Sequence, residues 1–248
     1  MRLKLISCEV LYREMCATVA RSPHQVDVEF LPKGLHDLGG SVMCGRVQQA
    51  VDRVDSERYE AVVFGYALCG NGIVGLTART LPLVIPRAHD CIALLMGSRQ
   101  RYQSYFQQNP GVYFRSTGWL ERGEDLDQET LRAVRDKTGA GYTLAELIAR
   151  YGEDNGRYLF DELNAYQRTY RQLTYISNGL EPDGSFEQRA REEAQQRGWQ
   201  FNSVPGNLCL FERLLDGNWN LEDFLVVPPG WRVIATYDTN IIGSEPLS

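Results

Sequence analysis

Apolar and polar positions change rhythm repeatedly along the chain, and that rhythm predicts alternating strands and helices. Leu3 to Cys8 reads as a first strand, with Glu9 to Arg21 as the helix that follows. Val26-Asp27-Val28-Glu29-Phe30-Leu31 alternates with a period of two, the mark of an outer strand. Val42 to Val54 returns to helical spacing through Val47 and Val51. Ala61-Val62-Val63-Phe64 and Leu83-Val84-Ile85 are continuous apolar runs, as strands buried on both faces require. Ile92 opens a helix expected to continue through Tyr105 to the stop at Asn109-Pro110-Gly111, and Val112 to Arg115 predicts one more strand.

From Asp125 to Gln172 the pattern is polar and helical, with Thr143 as a cap. Its aromatics (Tyr151, Tyr158, Phe160, Tyr166 and Tyr170) are expected to pack between helices. An internal echo follows. Leu173 to Asn178 repeats the pattern of Leu3 to Cys8, Trp199 to Asn207 falls where Val28 to His36 falls, and Phe224 to Gly230 parallels Ala61 to Gly65. Helices over Ser185 to Arg197 and Cys209 to Leu215 lie between them. The expected fold is α/β, with two Rossmann-like lobes built on parallel sheets and a helical insertion between them. Residues 1–116 form the N-terminal lobe with the Cys/His site, 117–172 the connecting segment and 173–248 the C-terminal lobe. Asn178 stands where the first half has Cys8, so the second lobe is expected to supply polar walls and the first the chemistry.

Composition narrows the function. A net charge of −6 argues against a nucleic-acid surface. No apolar run is long enough to span a membrane. The N-terminal run is too short and interrupted for a signal peptide, so a cytoplasmic protein is expected. In that compartment Cys8, Cys16, Cys44, Cys69, Cys91 and Cys209 are expected to be free, metal-bound or catalytic rather than disulfide-bonded.

Three of these cysteines follow predicted interior strands. Cys8 ends the first, Cys69 follows Ala61 to Gly65, and Cys91 follows Leu83 to Ile85. Right-handed crossovers place all three on one sheet edge, where open α/β sheets bind ligands. Thiolates suit zinc or an iron–sulfur cluster, so Cys8, Cys69 and Cys91 are the candidate metal ligands, with His36 or His89 completing or orienting the site. Cys16, Cys44 and Cys209 fall within predicted helices and read as packing residues. A metal-free alternative makes Cys91 a nucleophile at a helix start, with His89 or His36 as its base. Asp90 is better placed as the helix N-cap. Gly70, Asn71 and Gly72 form a tight ligand-facing turn that, with Arg87, could hold a small anionic substrate.

The runs Gly65-Tyr66-Ala67-Leu68-Cys69-Gly70-Asn71-Gly72, Pro86-Arg87-Ala88-His89-Asp90-Cys91-Ile92 with Leu95-Met96-Gly97-Ser98, and Gly118-Trp119-Leu120 also resemble domain-of-unknown-function family 1638. The resemblance spans nearly the whole chain and implies a soluble prokaryotic protein. Genes of that family often accompany corrinoid-dependent methyltransferases, corrinoid proteins and their reductive activators, so it also implies a place in corrinoid-linked one-carbon metabolism. The expected function is a zinc- or iron–sulfur-binding protein of methyl-transfer metabolism, which leaves a methyltransferase-type enzyme open. It would contact a corrinoid carried by a partner, either a corrinoid protein or a methyltransferase. The alternatives are a nonenzymatic accessory that docks onto such a partner, and a metal-free cysteine enzyme.

Overall fold

A computed structural model describes residues 1–122, 142–163, 169–236 and 238–247. The first sheet contains β1 (Arg2–Cys8), β2 (Gln25–Leu31), β3 (Ala61–Gly65) and β4 (Leu83–Pro86), all parallel, in the order β2-β1-β3-β4. The apolar runs behave as their composition demands. Every residue of β3 and β4 is buried, whereas the alternating β2 is a half-exposed edge. The chain passes from β1 to β2 through α1 (Tyr12–Val19) and returns through α2 (Gly40–Asp52) to β3 on the other side of β1. The strand order therefore reverses between β1 and β3, and a crevice opens beyond their carboxyl ends.

Past β4 come two short helices, α3 (Cys91–Leu95) and α4 (Arg99–Gln108), where one was expected. Gly97 takes a left-handed φ of 71° and ends the first, and the Ser98 hydroxyl caps the second. A second sheet is formed by β5 (Val112–Ser116), β6 (Gln172–Ser177) and β7 (Gln200–Pro205), parallel and in chain order. Between β5 and β6 lie α5 (Thr117–Glu121) and the helical pair α6 (Leu144–Tyr151) and α7 (Glu153–Leu163), the former started by the expected Thr143–Glu146 capping box. After β6 comes α8 (Ser185–Gln196), and after β7 comes α9 (Cys209–Leu215). The protein is thus a mixed α/β fold, with one sheet parallel throughout and the other parallel over its first four strands. Among the described residues no helix is long and apolar enough to cross a membrane.

Two strands lie where the pattern did not put them. Val112 to Ser116, expected within the first sheet, pairs with Gln172 to Ile176 as an outer strand of the second. Phe224–Val227, expected in the second, is β8 and closes the first sheet antiparallel to β4, with Leu83 opposite Val227. The echo captured the order of apolar runs, but the all-apolar Phe224–Val227 pairs with the fully buried β4, at the opposite side of the sheet from the half-exposed edge β2. An antiparallel hairpin of β9 (Trp231–Ala235) and β10 (Ile242–Pro246) follows, with no counterpart in the expected pattern. Of the aromatics expected between helices, Tyr151 and Tyr158 are exposed, Tyr170 packs edge-on to Tyr113, and Tyr166 lies outside the described residues.

The carboxyl ends of the two sheets meet. Asn178, just past β6, donates its side-chain amide to Glu14 Oε1 on α1 at 3.1 Å. Asn207, past β7, donates its backbone N–H to Leu95 O, and Arg13 forks onto Glu121. Glu14 is 2 % exposed, and neither its Oε2 nor Asn178 Oδ1 has a hydrogen-bond partner among the described residues. Burial raises the Glu14 pKa, and Glu181 adds to the rise. A protonated carboxyl avoids the cost of an unpaired buried charge. An acid whose pKa is raised by folding contributes stability fully below the ordinary carboxylate range and loses it as pH climbs through the folded value. We therefore expect Glu14→Gln, which is neutral at every pH, to gain about 1 kcal/mol over the native chain at pH 8 and less at pH 5. Urea unfolding at the two pH values checks this, and an equal loss at both would refute it.

Candidate functional site

The crevice beyond β1 and β3 is built from four turns. The first begins at Cys8, the last residue of β1, which is 3 % exposed and leads into a 3₁₀ turn at Glu9–Leu11. The second carries His36 on the 3₁₀ turn Lys33–Leu38, with its Nε2 3.8 Å from Cys8 Sγ. In the third, after β3, Cys69, Gly70 and Asn71 take φ values of 49°, 62° and 67° in succession. Such a left-handed run suits glycine and asparagine but strains cysteine, and strain of this kind clusters at functional positions. The fourth turn follows β4. It is tied to the third by two backbone hydrogen bonds, Leu68 N–H to Ala88 O at 2.9 Å and Cys69 N–H to His89 O at 2.8 Å. Asp90 then caps α3 by accepting from Ile92 and Ala93 N–H, and its other oxygen accepts from the Tyr102 hydroxyl at 3.0 Å. Cys91 is consequently the first residue of α3.

Trp119, on α5, completes the arrangement by donating its indole N–H to Cys91 Sγ at 3.4 Å. Its approach is set by Gly118, which packs so closely on Val10 that a Cβ there would lie 1.7 Å from the Val10 carbonyl oxygen. Lys33 holds its ammonium 4.9 Å above the Trp119 ring. Tyr66, next after β3, is 1 % exposed, and its hydroxyl has no partner among the described residues.

Electrostatics join these groups into one neighbourhood. Burial pushes the Cys8 and Cys69 thiols each up to about 12, and burial and then Cys69 hold Cys91 well above its ordinary value. Burial also holds His36 below its ordinary value, keeping the ring neutral, and Lys33 acts in the same direction. Tyr66 is raised by burial first and then by Cys8, Cys69 and Glu9. The resting site is therefore three protonated thiols, a neutral imidazole and a phenol without a partner among the described residues.

Beside it lies a cleft of about 310 Å³, with Cys91 on its wall. Its other walls are largely aromatic: Tyr102, Phe106, Tyr113, Phe114, Trp119 and Tyr170, with Asp90, Ile92, Val112 and Arg115 between them. Cys8 and Cys69 do not line it.

Cys8, Cys69, Cys91 and His36 thus share the crevice, whereas two other candidates do not take part as expected. The His89 side chain is exposed, and only its backbone carbonyl reaches Cys69. Arg87, expected beside the glycine turn, directs its guanidinium at the carbonyls of Leu221, Phe224, Asn240 and Ile242, so it ties the C-terminal strands to the sheet. Gly70 and Asn71 are exposed, while Gly72 is buried against Met43. Cys16, Cys44 and Cys209 lie in α1, α2 and α9. Tyr66, Tyr102 and Trp119 carried no chemical signal in the sequence, although Tyr66 and Trp119 fall within the motifs singled out there.

A family model described as a protein of unknown function, DUF1638, matches residues 30–215, and the chain belongs to that family. The matched span begins past Cys8 and contains His36, Cys69, Cys91 and Trp119. No curated protein matches the chain.

Because a Cβ at position 118 would drive into backbone, Gly118→Ala should cost about 3 kcal/mol. In a chain of this size that lowers the melting temperature by roughly 6–12 °C. Unchanged melting would show that α5 is not held against the turn after β1.

Proposed function

We propose that this member of the DUF1638 family binds zinc or an iron–sulfur cluster through Cys8, Cys69 and Cys91, with His36 as a further ligand. We place it in corrinoid-linked methyl-transfer metabolism, in keeping with the family association given above. The observation that carries the reading is the contact of Cys8 with a neutral His36 at a crevice that the turns bearing Cys69 and Cys91 also border. Zinc–sulfur and zinc–nitrogen bonds of about 2.3 and 2.0 Å set neighbouring donors about 3.5 Å apart. The 3.8 Å between Cys8 Sγ and His36 Nε2 is close to that edge. Among the described residues no group of three such side chains stands ready to hold an ion. Binding therefore requires Cys69 and Cys91 to close on that pair, and the strained Cys69 turn is the natural element to move.

When bound, the metal would keep sulfur as thiolate, the form that accepts an alkyl group. The chain's own residues would do the rest. Trp119 would donate to Cys91 sulfur, Lys33 would add positive charge nearby, and Tyr66 would offer its hydroxyl, which has no partner among the described residues. Six unpaired cysteines support a reducing, cytoplasmic setting, and we read the two sheets as two Rossmann-like lobes.

Anaerobically purified protein should carry about one zinc per chain, or the iron of a cluster, and Cys69→Ser and Cys91→Ser should each release it. Metal below a tenth of an equivalent in the native protein would overturn the proposal. One observation favours a second reading, a metal-free cysteine site: Cys91 alone of the three lines the cleft. Stoichiometric alkylation of Cys91 in native protein, with no change on adding chelator, would select it.

A further inference from the structure

From the cleft over Cys91 we infer a binding site for a small, neutral, flat organic molecule, an aromatic or heteroaromatic ring that lies against the sulfur. The site needs no bound metal, so it stands apart from the reading above.

Size comes first. At about 310 Å³ the cleft is at the lower end of small-molecule sites and too small to seat a helix of a partner protein. Shape comes next. Tyr102 packs 6.0 Å from Phe106 and 6.1 Å from Phe114, ring centre to ring centre, in tilted geometry. Trp119 contributes another ring, with its N–H edge turned to Cys91 sulfur. Aromatic walls of this kind favour a flat apolar guest through stacked and edge contacts.

Charge decides the class. The two charged side chains in the wall, Arg115 and Asp90, are already engaged within the protein. Arg115 forks onto Glu193 at 2.8 and 2.9 Å. Both oxygens of Asp90 are engaged, one by the backbone of α3 and the other by Tyr102. An ionised guest would lose its hydration in this cleft and meet wall charges whose hydrogen-bonding atoms the protein already occupies. A neutral ring loses little on entry, and it meets in Cys91 a polarisable sulfur of the kind aromatic edges pack against.

The test uses full-length protein and follows the Trp119 indole N–H resonance, assigned by its disappearance in Trp119→Phe. Toluene and indole should shift it saturably, with Kd roughly 1 mM or tighter. Benzoate and benzylamine should bind at least tenfold more weakly. Phe106→Ala, at a residue 48 % exposed and so safe for folding, should weaken toluene binding at least threefold while the melting temperature holds. No saturable shift with either neutral ring would overturn the inference. So would tighter binding of benzoate, which would move recognition to Lys33. A concentration-dependent dimer that shifts the same resonance without a ligand would assign the cleft to a second copy and overturn it too. None of these readouts depends on metal content, so the two proposals can fail separately.

Discussion

Two backbone hydrogen bonds, Leu68 to Ala88 and Cys69 to His89, hold the rest of the site in place. They continue the pairing of β3 with β4 beyond the ladder itself, whose register is Val62 with Leu83 and Val63 with Val84. Buried backbone groups must find partners, and here the turns after neighbouring strands find each other. The consequences run in both directions. Cys69 is carried into a left-handed conformation, and Asp90 is presented where it can cap α3 and set Cys91 at the head of that helix. Without this link the two thiols would belong to unrelated loops.

The second sheet matters because its carboxyl edge closes against that of the first. Glycine makes the approach possible at two points. A side chain at Gly118 would strike the Val10 carbonyl, and one at Gly97 would strike Asn207. Trp119 can reach Cys91 only because the backbone of α5 lies this close to the turn after β1. The aromatic cleft runs along β5, and its walls come from α4 and α5 as well as from α3.

Burial sets the chemistry at rest. Desolvation raises all three thiols and lowers His36, so the crevice holds neutral groups until something supplies positive charge. A metal ion would supply it directly. Lys33, over the face of Trp119, is the protein's own nearby cation, and half-burial lowers its pKa as well. Tyr66 fits the same account, since its buried hydroxyl has no hydrogen-bond partner among the described residues.

Periodicity and capping act over a few residues, so features set at that range were legible in the sequence. The buried runs at Ala61 and Leu83, the edge strand at Val26, the Thr143 cap, the Asp90 cap and the helical setting of Cys16, Cys44 and Cys209 all belong to this group. The common edge for Cys8, Cys69 and Cys91 followed from strand topology. Partnership between distant segments did not follow. Val112 and Phe224 head strands with much the same apolar character, and only the available sheet edges sent each to the sheet where it lies. Arg87 and His89 flank Cys91 closely in sequence, yet one turns to carbonyls more than a hundred residues away and the other to the surface. Trp119 meets Cys91 across 28 positions because two sheets dock. Contacts of that kind depend on the packing of whole layers, which no local pattern encodes.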